Sequence, residues 1–204
     1  MIIETIREPE GFSAAVYGMR NPLNSWGKSD SYLDDYDNFI IGDNDKTLSI
    51  RLQNAGSEHC KHLRMIYVWA DIIAPRFWWN EYDTYRFGVD KVSCSTMHKL
   101  MARPLTKDDF EHDCMNDEFL DYVIESINMS MEAWRAETDE DVKKQIWRST
   151  IEALPQSYLQ KRTVCMSYAA LRNIVKQRQG HKLYEWQIFI NWAKSLPNSW
   201  MLFE

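Results

Sequence analysis

The stretch LRMIYVWADIIAPRFWWNEYDTYRFGVDKVSCSTMHKL, Leu63–Leu100, gathers apolar, aromatic and reactive side chains as no other part of the chain does. Met65 to Ile73 is too apolar and too rich in β-branched residues for a loop, and it reads as a strand that runs into Ala74-Pro75. Proline cannot donate to a sheet ladder but suits the first turn of a helix, so the chain is expected to change from strand to helix there. A helix over Pro75 to Arg86 places Trp78, Glu81, Tyr82 and Tyr85 along one face, with Trp79, Asp83 and Arg86 on its neighbour. Gly88 ends it. A turn of small polar groups follows, Ser93, Cys94, Ser95 and Thr96, and then His98. Strand, polar helix face and hydroxyl-rich turn read together as one wall of a pocket.

Working outward to the N-terminus, Met1 to Ile6 has the character of a short strand closed by Pro9, Glu10 and Gly11, and Phe12 to Tyr17 that of a short helix. GMRNPLNSWGKSDS, residues 18–31, is an irregular loop carrying Arg20 and Trp26. Such a loop serves equally as an arm of a ligand site or as a plain surface crossing. Asp34 to Asp45 is acidic and solvated. Asp43 is placed to cap a helix with Leu48 and Leu52 inward and Gly56 beyond its end.

On the other side, Met101 to Glu118 is polar and turn-rich. Phe119 to Arg135 has helical spacing through Leu120, Val123, Ile127, Met131 and Trp134, a core stripe. The next helix starts from ETDED, sets Val142, Ile146, Ile151 and Leu154 inward, and stops at Pro155. Two more follow: Ala169 to Gln179 with Leu171, Ile174 and Val175 on one face, and Leu183 to Ser195 with Trp186, Ile190 and Ala193. About six helices and a few strands make an α+β domain with helices in excess. With 204 residues and nothing that reads as a linker, residues 1–204 are expected to form a single domain.

The formal charge of −6 and a pI near 5.4 argue against an extended surface for nucleic acid or anionic membrane, while leaving room for a local anion pocket. The longest apolar run is broken by Asp71, Pro75 and Arg76, so no membrane span is expected. MIIETIREPEG has no basic segment followed by an apolar one, and a cytoplasmic protein is the simplest reading. The four cysteines form no Cys-x-x-Cys pair. His59, Cys60 and His62 are close in sequence, but His59 and His62 fall on opposite faces of a strand and only roughly on one face of a helix, and no metal site is expected.

Glycine-rich phosphate loops, G-x-S-x-G and His-Glu-x-x-His are all missing. What remains is hydrogen-bonding and anion-competent: Arg86, the Ser93 to His98 turn, and RNIVKQRQGHK, where Arg172, Lys176, Arg178, His181 and Lys182 crowd around Gly180. Arginine's fixed fork suits a phosphate or a pyrimidine edge. The same cluster also fits a basic helix end that complements its own dipole.

The order of these features resembles the flavin-dependent thymidylate synthases, also called thymidylate synthase complementing proteins. The pieces are Arg20 in an early loop, His59 in a turn, the strand to Ile73, Ala74-Pro75 and a helix ending in Arg86. Ser93 to Ser95, Leu154-Pro155, and Asn173 with Arg178 complete them. The resemblance implies the helix-rich α+β fold of that family, with a small, mainly antiparallel sheet. It implies binding of FAD and deoxyuridine monophosphate (dUMP) in a homotetramer with sites between subunits, and methylenetetrahydrofolate and NADPH as co-substrates.

By position, Arg86 matches the last arginine of the family's Arg-His-Arg motif, and Glu81 a glutamine that holds the pyrimidine. Asn173 matches a flavin-contacting asparagine, Arg178 the arginine that binds the base, and His181 or Lys182 a flavin-contacting histidine. His59 falls with the cofactor residues, and Ser93 and Ser95 with the substrate. Arg178 is then the main donor to charge developing on the pyrimidine, and Ser95 a second one. Thr84-Tyr85-Arg86 stands where the motif has Arg-His-Arg. Glutamate at 81 accepts where glutamine donates, which suits an amino group such as that of cytosine. Two readings follow: a divergent one-carbon transferase acting on deoxyuridylate or a relative, or a non-catalytic member that binds a nucleotide or a protein partner.

Overall fold

In the computed structural model, which describes residues 1–203, the alternation of the central stretch becomes a strand with Val68, Ala70, Ile72 and Ala74 buried. In chain order the elements are β1 (Ile2–Glu10), α1 (Phe12–Arg20), β2 (Tyr32–Leu33), β3 (Phe39–Ile40) and α2 (Asp43–Ala55). Then come β4 (Tyr67–Pro75), α3 (Arg76–Tyr82), β5 (Val89–Ser93), α4 (Thr96–Lys99), α5 (Asp117–Ala136) and α6 (Glu140–Ala153). The chain continues with β6 (Leu159–Ser167), α7 (Tyr168–Arg178), α8 (Tyr184–Ser195) and α9 (Trp200–Phe203).

A four-stranded sheet has the order β1-β4-β6-β5, and β2 pairs with β3. Backbone bonds from Tyr168 N to the Ile66 carbonyl and from Arg76 N to the Tyr158 carbonyl set β4 and β6 antiparallel. Ser167 N to the Gly88 carbonyl and Cys94 N to the Lys161 carbonyl do the same for β6 and β5. β1 runs past the expected end at Ile6 and takes in Pro9, which an edge strand tolerates because the missing N–H faces no partner. Gly11 then turns the chain at φ 101°, where a side chain would overlap the Met65 carbonyl.

The chain divides into two compact units. The first comprises Met1–Ile2, Ile72–Thr84 and Val92–Arg162. Its core joins Leu100, Met101, Leu105, Phe110, Leu120, Ile127, Met131 and Leu154. The stripe read on α5 is therefore core. On α6 the buried position is Thr150, whose hydroxyl donates to the Ile146 carbonyl, and Val142, expected inward, is exposed.

The aromatic helix α3 is shorter than expected. It stops at Tyr82, because Thr84 Oγ1 donates to the Glu81 carbonyl at 2.7 Å and takes over a backbone acceptor of the last turn. Tyr85 and Arg86 therefore lie beyond the helix. Trp78, Trp79 and Tyr82 form a fully buried knot with ring centroids 4.9–5.4 Å apart, and Trp79 Nε1 donates to the Gln160 carbonyl.

The second unit comprises Ile3–Asp71, Tyr85–Lys91 and the chain from Thr163 on. Here α7 packs on α9 and on the helical turn Cys60–Met65. On α2 the expected pattern is inverted. The buried stripe is polar, Asp45, Ser49 and Gln53 at spacings of four, while Leu48 and Leu52 line an open cleft. The cap is also not Asp43. Asp30, from the preceding loop, accepts from Asn44 N at 2.9 Å and from Asp45 N at 3.2 Å.

Polar burial on α2 is supported by a chain of partners, although Gln53 Oε1 and His62 Nδ1 are buried without one among the described residues. Ser49 Oγ lies 2.9 Å from His62 Nε2, and Gln53 Nε2 donates to Ser49 Oγ. Burial pushes the His62 imidazole down to about 4. A histidine lowered on folding stabilises the protein fully above its unfolded pKa, and that contribution is lost as pH falls from about 6.5 to about 4. The loss amounts to about 3 kcal/mol. We therefore expect denaturation midpoints to fall over this window, and His62→Gln to flatten the slope. An unchanged slope in His62→Gln would assign it to other groups.

Candidate functional site

Two constructions in the second unit can hold a ligand. The first is a cleft of about 560 Å³, within the size range of small-molecule and cofactor sites. One side is α2, which offers Asn44, Thr47 and Arg51 between Leu48 and Leu52. The other is the loop after α1, with Ser25 and Lys28, and His59 stands at the edge. Arg20 lines it too, but the residue is 4% exposed and its guanidinium is committed inward: Nε donates to Asp45 Oδ1 at 2.5 Å and Nη1 to the Ser25 carbonyl at 3.2 Å. Burial by itself would raise the Asp45 carboxyl; the Ser29 and Ser31 hydroxyls and Arg20 outweigh it and hold it below the usual carboxylate range. Arg20 and Asp45 thus brace the wall, Lys28 and Arg51 carry its accessible cations, and His59 stands at the edge with Nε2 3.6 Å from Glu58 Oε1. No carboxylate is among the lining residues, so the cleft suits an anion.

The second construction surrounds Arg178, the last residue of α7. Arg178 Nε donates to the Tyr85 hydroxyl at 2.8 Å, Tyr85 donates to Gln177 Oε1 at 3.1 Å, and Gln177 Nε2 donates to Asn173 Oδ1 at 3.1 Å. The guanidinium lies over the Trp186 ring at 4.6 Å and the Tyr85 ring at 5.5 Å. His181 comes in beside Trp186, centroids 6.2 Å apart, and its Nδ1 accepts from Leu183 N. A relay of hydrogen bonds and two rings therefore orient one arginine fork.

Asn173, Arg178 and His181 are joined in this way through Gln177, Tyr85 and Trp186. Lys182 is exposed near them in sequence, and Arg86 is exposed in the turn before β5. His59, also exposed, lines the large cleft, whose lining does not include Asn173, Arg178, His181 or Lys182. In the first unit, Glu81 is half-buried near the end of α3 and Ser93 is exposed at the end of β5. Ser95 caps α4, accepting from His98 N at 3.2 Å. Cys60 and His62 turn into the protein while His59 turns out, and among the described residues no group of three His, Cys, Asp or Glu is placed to hold a metal.

Sequence reasoning treated Tyr85 as part of a helix face and Trp186 as core, and passed over Lys28 and Arg51. Tyr85 carried a signal: it is the middle residue of the triplet that departs from Arg-His-Arg.

No family model matches the sequence, and no curated protein matches it. The fold does have solved counterparts. A crystal structure of the flavin-dependent thymidylate synthase ThyX from Helicobacter pylori, complexed with FAD and dUMP, superposes at a TM-score of 0.73 with 19% identity. It covers 100% of this chain and 98% of that one. A second structure of the H. pylori enzyme with FAD and dUMP gives 0.72, again at 19% identity over 100% and 98%. The chain therefore has the thymidylate synthase complementing fold, an α+β architecture with a small antiparallel sheet. No helix among the described residues is long and apolar enough to cross a membrane.

Proposed function

We propose that this chain is a divergent flavin-dependent thymidylate synthase-like protein that binds FAD and a pyrimidine deoxynucleotide and transfers a one-carbon unit to the pyrimidine. The observation that carries this reading is the oriented Arg178 fork, on a fold whose full-length relatives bind FAD and dUMP.

The residues present fit a flavin dinucleotide. Lys28, Arg51 and His59 of the large cleft would supply donors for a pyrophosphate and Leu48 and Leu52 apolar surface, while Asn173 and His181, outside that lining, are the flavin-side partners that the resemblance implies. Arg86 and Lys182 are exposed cations of the same assignment. Bound flavin would supply a hydride to the pyrimidine. Arg178 would meet the charge that develops on the ring with a planar fork already fixed by Tyr85 and Trp186, so little reorganisation accompanies the reaction. Glu81, Ser93 and Ser95 are assigned to the nucleotide as well, Ser95 as a second donor. A cytoplasmic homotetramer acting through one domain per chain, with NADPH and methylenetetrahydrofolate as co-substrates, completes the proposal.

The test is a titration of the purified protein with FAD, followed by flavin fluorescence. Saturable binding is expected, weakened about tenfold in the Lys28→Ala/Arg51→Ala double variant, the equivalent of about 1.4 kcal/mol. Failure to bind at submillimolar FAD would remove the flavin from the proposal. A second reading, a non-catalytic relative that binds a nucleotide or a protein partner, is favoured by Tyr85. It is a buried phenol, 9% exposed, where the resemblance implies a histidine. Colourless protein that still binds dUMP would select it.

A further inference from the structure

The first unit contains a smaller cleft, about 260 Å³, that the flavin reading does not use. Two arginines face it and they are in different electrostatic situations. Arg162 is neutralised: Nη1 donates to Asp83 Oδ1 at 2.8 Å and to Oδ2 at 3.1 Å, and Nε and Nη2 donate to Gln160 Oε1. Its guanidinium also lies over Trp79 at 4.2 Å. Arg162 is therefore wall.

Arg76 is half-buried, and among the described residues its side chain makes one hydrogen bond, from Nη1 to the Leu154 carbonyl at 3.1 Å, a neutral acceptor. No carboxylate pairs with it among the described residues, and none lines the cleft. A half-buried guanidinium with most of its N–H groups uncommitted, in a concavity without an acid, carries an uncompensated positive charge.

The surroundings define what would compensate it. Gln160 Nε2 donates to Thr96 Oγ1 at 3.4 Å and to the Cys94 carbonyl at 3.3 Å, so the Thr96 hydroxyl hydrogen is left to point elsewhere. Asn80, on the same helix as Arg76, adds an amide held by Gln156. Met97, Ile151 and Leu154 form an apolar side. The volume is below the range of drug-sized pockets and rules out a dinucleotide.

We propose that this cleft binds a small organic oxyanion, a carboxylate or a phosphate monoester. Arg76 forks onto the oxyanion, Thr96 donates its hydroxyl, and the carbon body rests on Met97, Ile151 and Leu154. None of these residues is assigned to flavin or pyrimidine, so the proposal stands or falls apart from the flavin reading.

Calorimetric titration of the full chain with glycerol 3-phosphate, succinate and inorganic phosphate tests it. Saturable one-to-one binding of one organic probe is expected, weakened about tenfold or more in Arg76→Gln. Thr96→Glu, which gives Arg76 an internal carboxylate without touching its Leu154 bond, is expected to cause the same loss. His59→Ala and Arg178→Ala should leave that binding unchanged. Preference for glycerol 3-phosphate or for succinate identifies the oxyanion. Inorganic phosphate binding as tightly as its ester would overturn the organic part. No saturation by any probe up to about 10 mM, or binding indifferent to both variants with their folding intact, would overturn the site.

Discussion

Asp45→Ala is expected to lower stability by about 3–5 kcal/mol and to open the wall of the large cleft. Asp45 is fully buried, and both carboxylate oxygens are engaged. Oδ1 accepts from Arg20 Nε at 2.5 Å. Oδ2 accepts from the hydroxyls of Ser29 at 2.6 Å and Ser31 at 2.7 Å, and from the backbone N–H groups of Asp30 and Ser31. Removing it leaves the buried Arg20 guanidinium without its counter-charge and unties a loop whose Asp30 caps α2 in return.

Asp45→Asn keeps the shape but not the charge, and should fall between alanine and wild type. The carboxyl is held below its ordinary value on folding, so its stabilisation is complete above the unfolded pKa of about 3.9 and is lost as pH falls through the lower folded value. Urea denaturation at pH 7 and near pH 3 measures both. A change below about 1 kcal/mol for Asp45→Ala at pH 7 would mean that the network is dispensable.

This network also marks where the sequence stops being legible. Periodicity places apolar residues inward, and for β4, α5, α7 and α8 that is what the structure shows. On α2 the same rule pointed Leu48 and Leu52 into the core. The partners that let Asp45 and Ser49 go there instead, Arg20, Ser31 and His62, lie 13 to 25 residues away, beyond the reach of a local pattern. The end of α3 was missed for a related reason. Spacing continues smoothly through Tyr85, whereas the stop comes from one Thr84 hydroxyl on one carbonyl.

The fold was readable from the order of features along the chain, and full-length superposition bears it out at 19% identity. Of the candidate site, the placement of Asn173 and Arg178 on one helix was legible from their five-residue separation. Tyr85, Lys28, Arg51 and Arg76 were not, since each acquires its meaning only from what tertiary structure sets beside it.

Arg178→Ala is expected to weaken dUMP binding by about 10- to 100-fold, the loss appropriate to one charge-assisted, two-pronged contact. The substitution should leave the fold standing, because Arg178 ends its helix and is partly solvent-exposed. Arg178→Lys separates charge from shape. A point charge cannot reproduce a fork stacked on Trp186, so lysine should recover only a minor part of the affinity.

Tyr85→Phe separates orientation from both. It keeps the ring 5.5 Å from the guanidinium but removes the hydroxyl that joins Arg178 Nε to Gln177, so a loss of about threefold is expected. The order alanine, lysine, phenylalanine in decreasing effect, measured by nucleotide titration at constant thermal midpoint, is the signature of a prearranged guanidinium that reads the base. If Arg178→Ala binds dUMP as wild type does, the relay through Tyr85 is only packing at the end of α7, and the nucleotide reading falls with it. If Tyr85→Phe costs as much as Arg178→Ala, the fork has no useful position of its own. The substitution of tyrosine for histidine in the triplet would then be what keeps the site working.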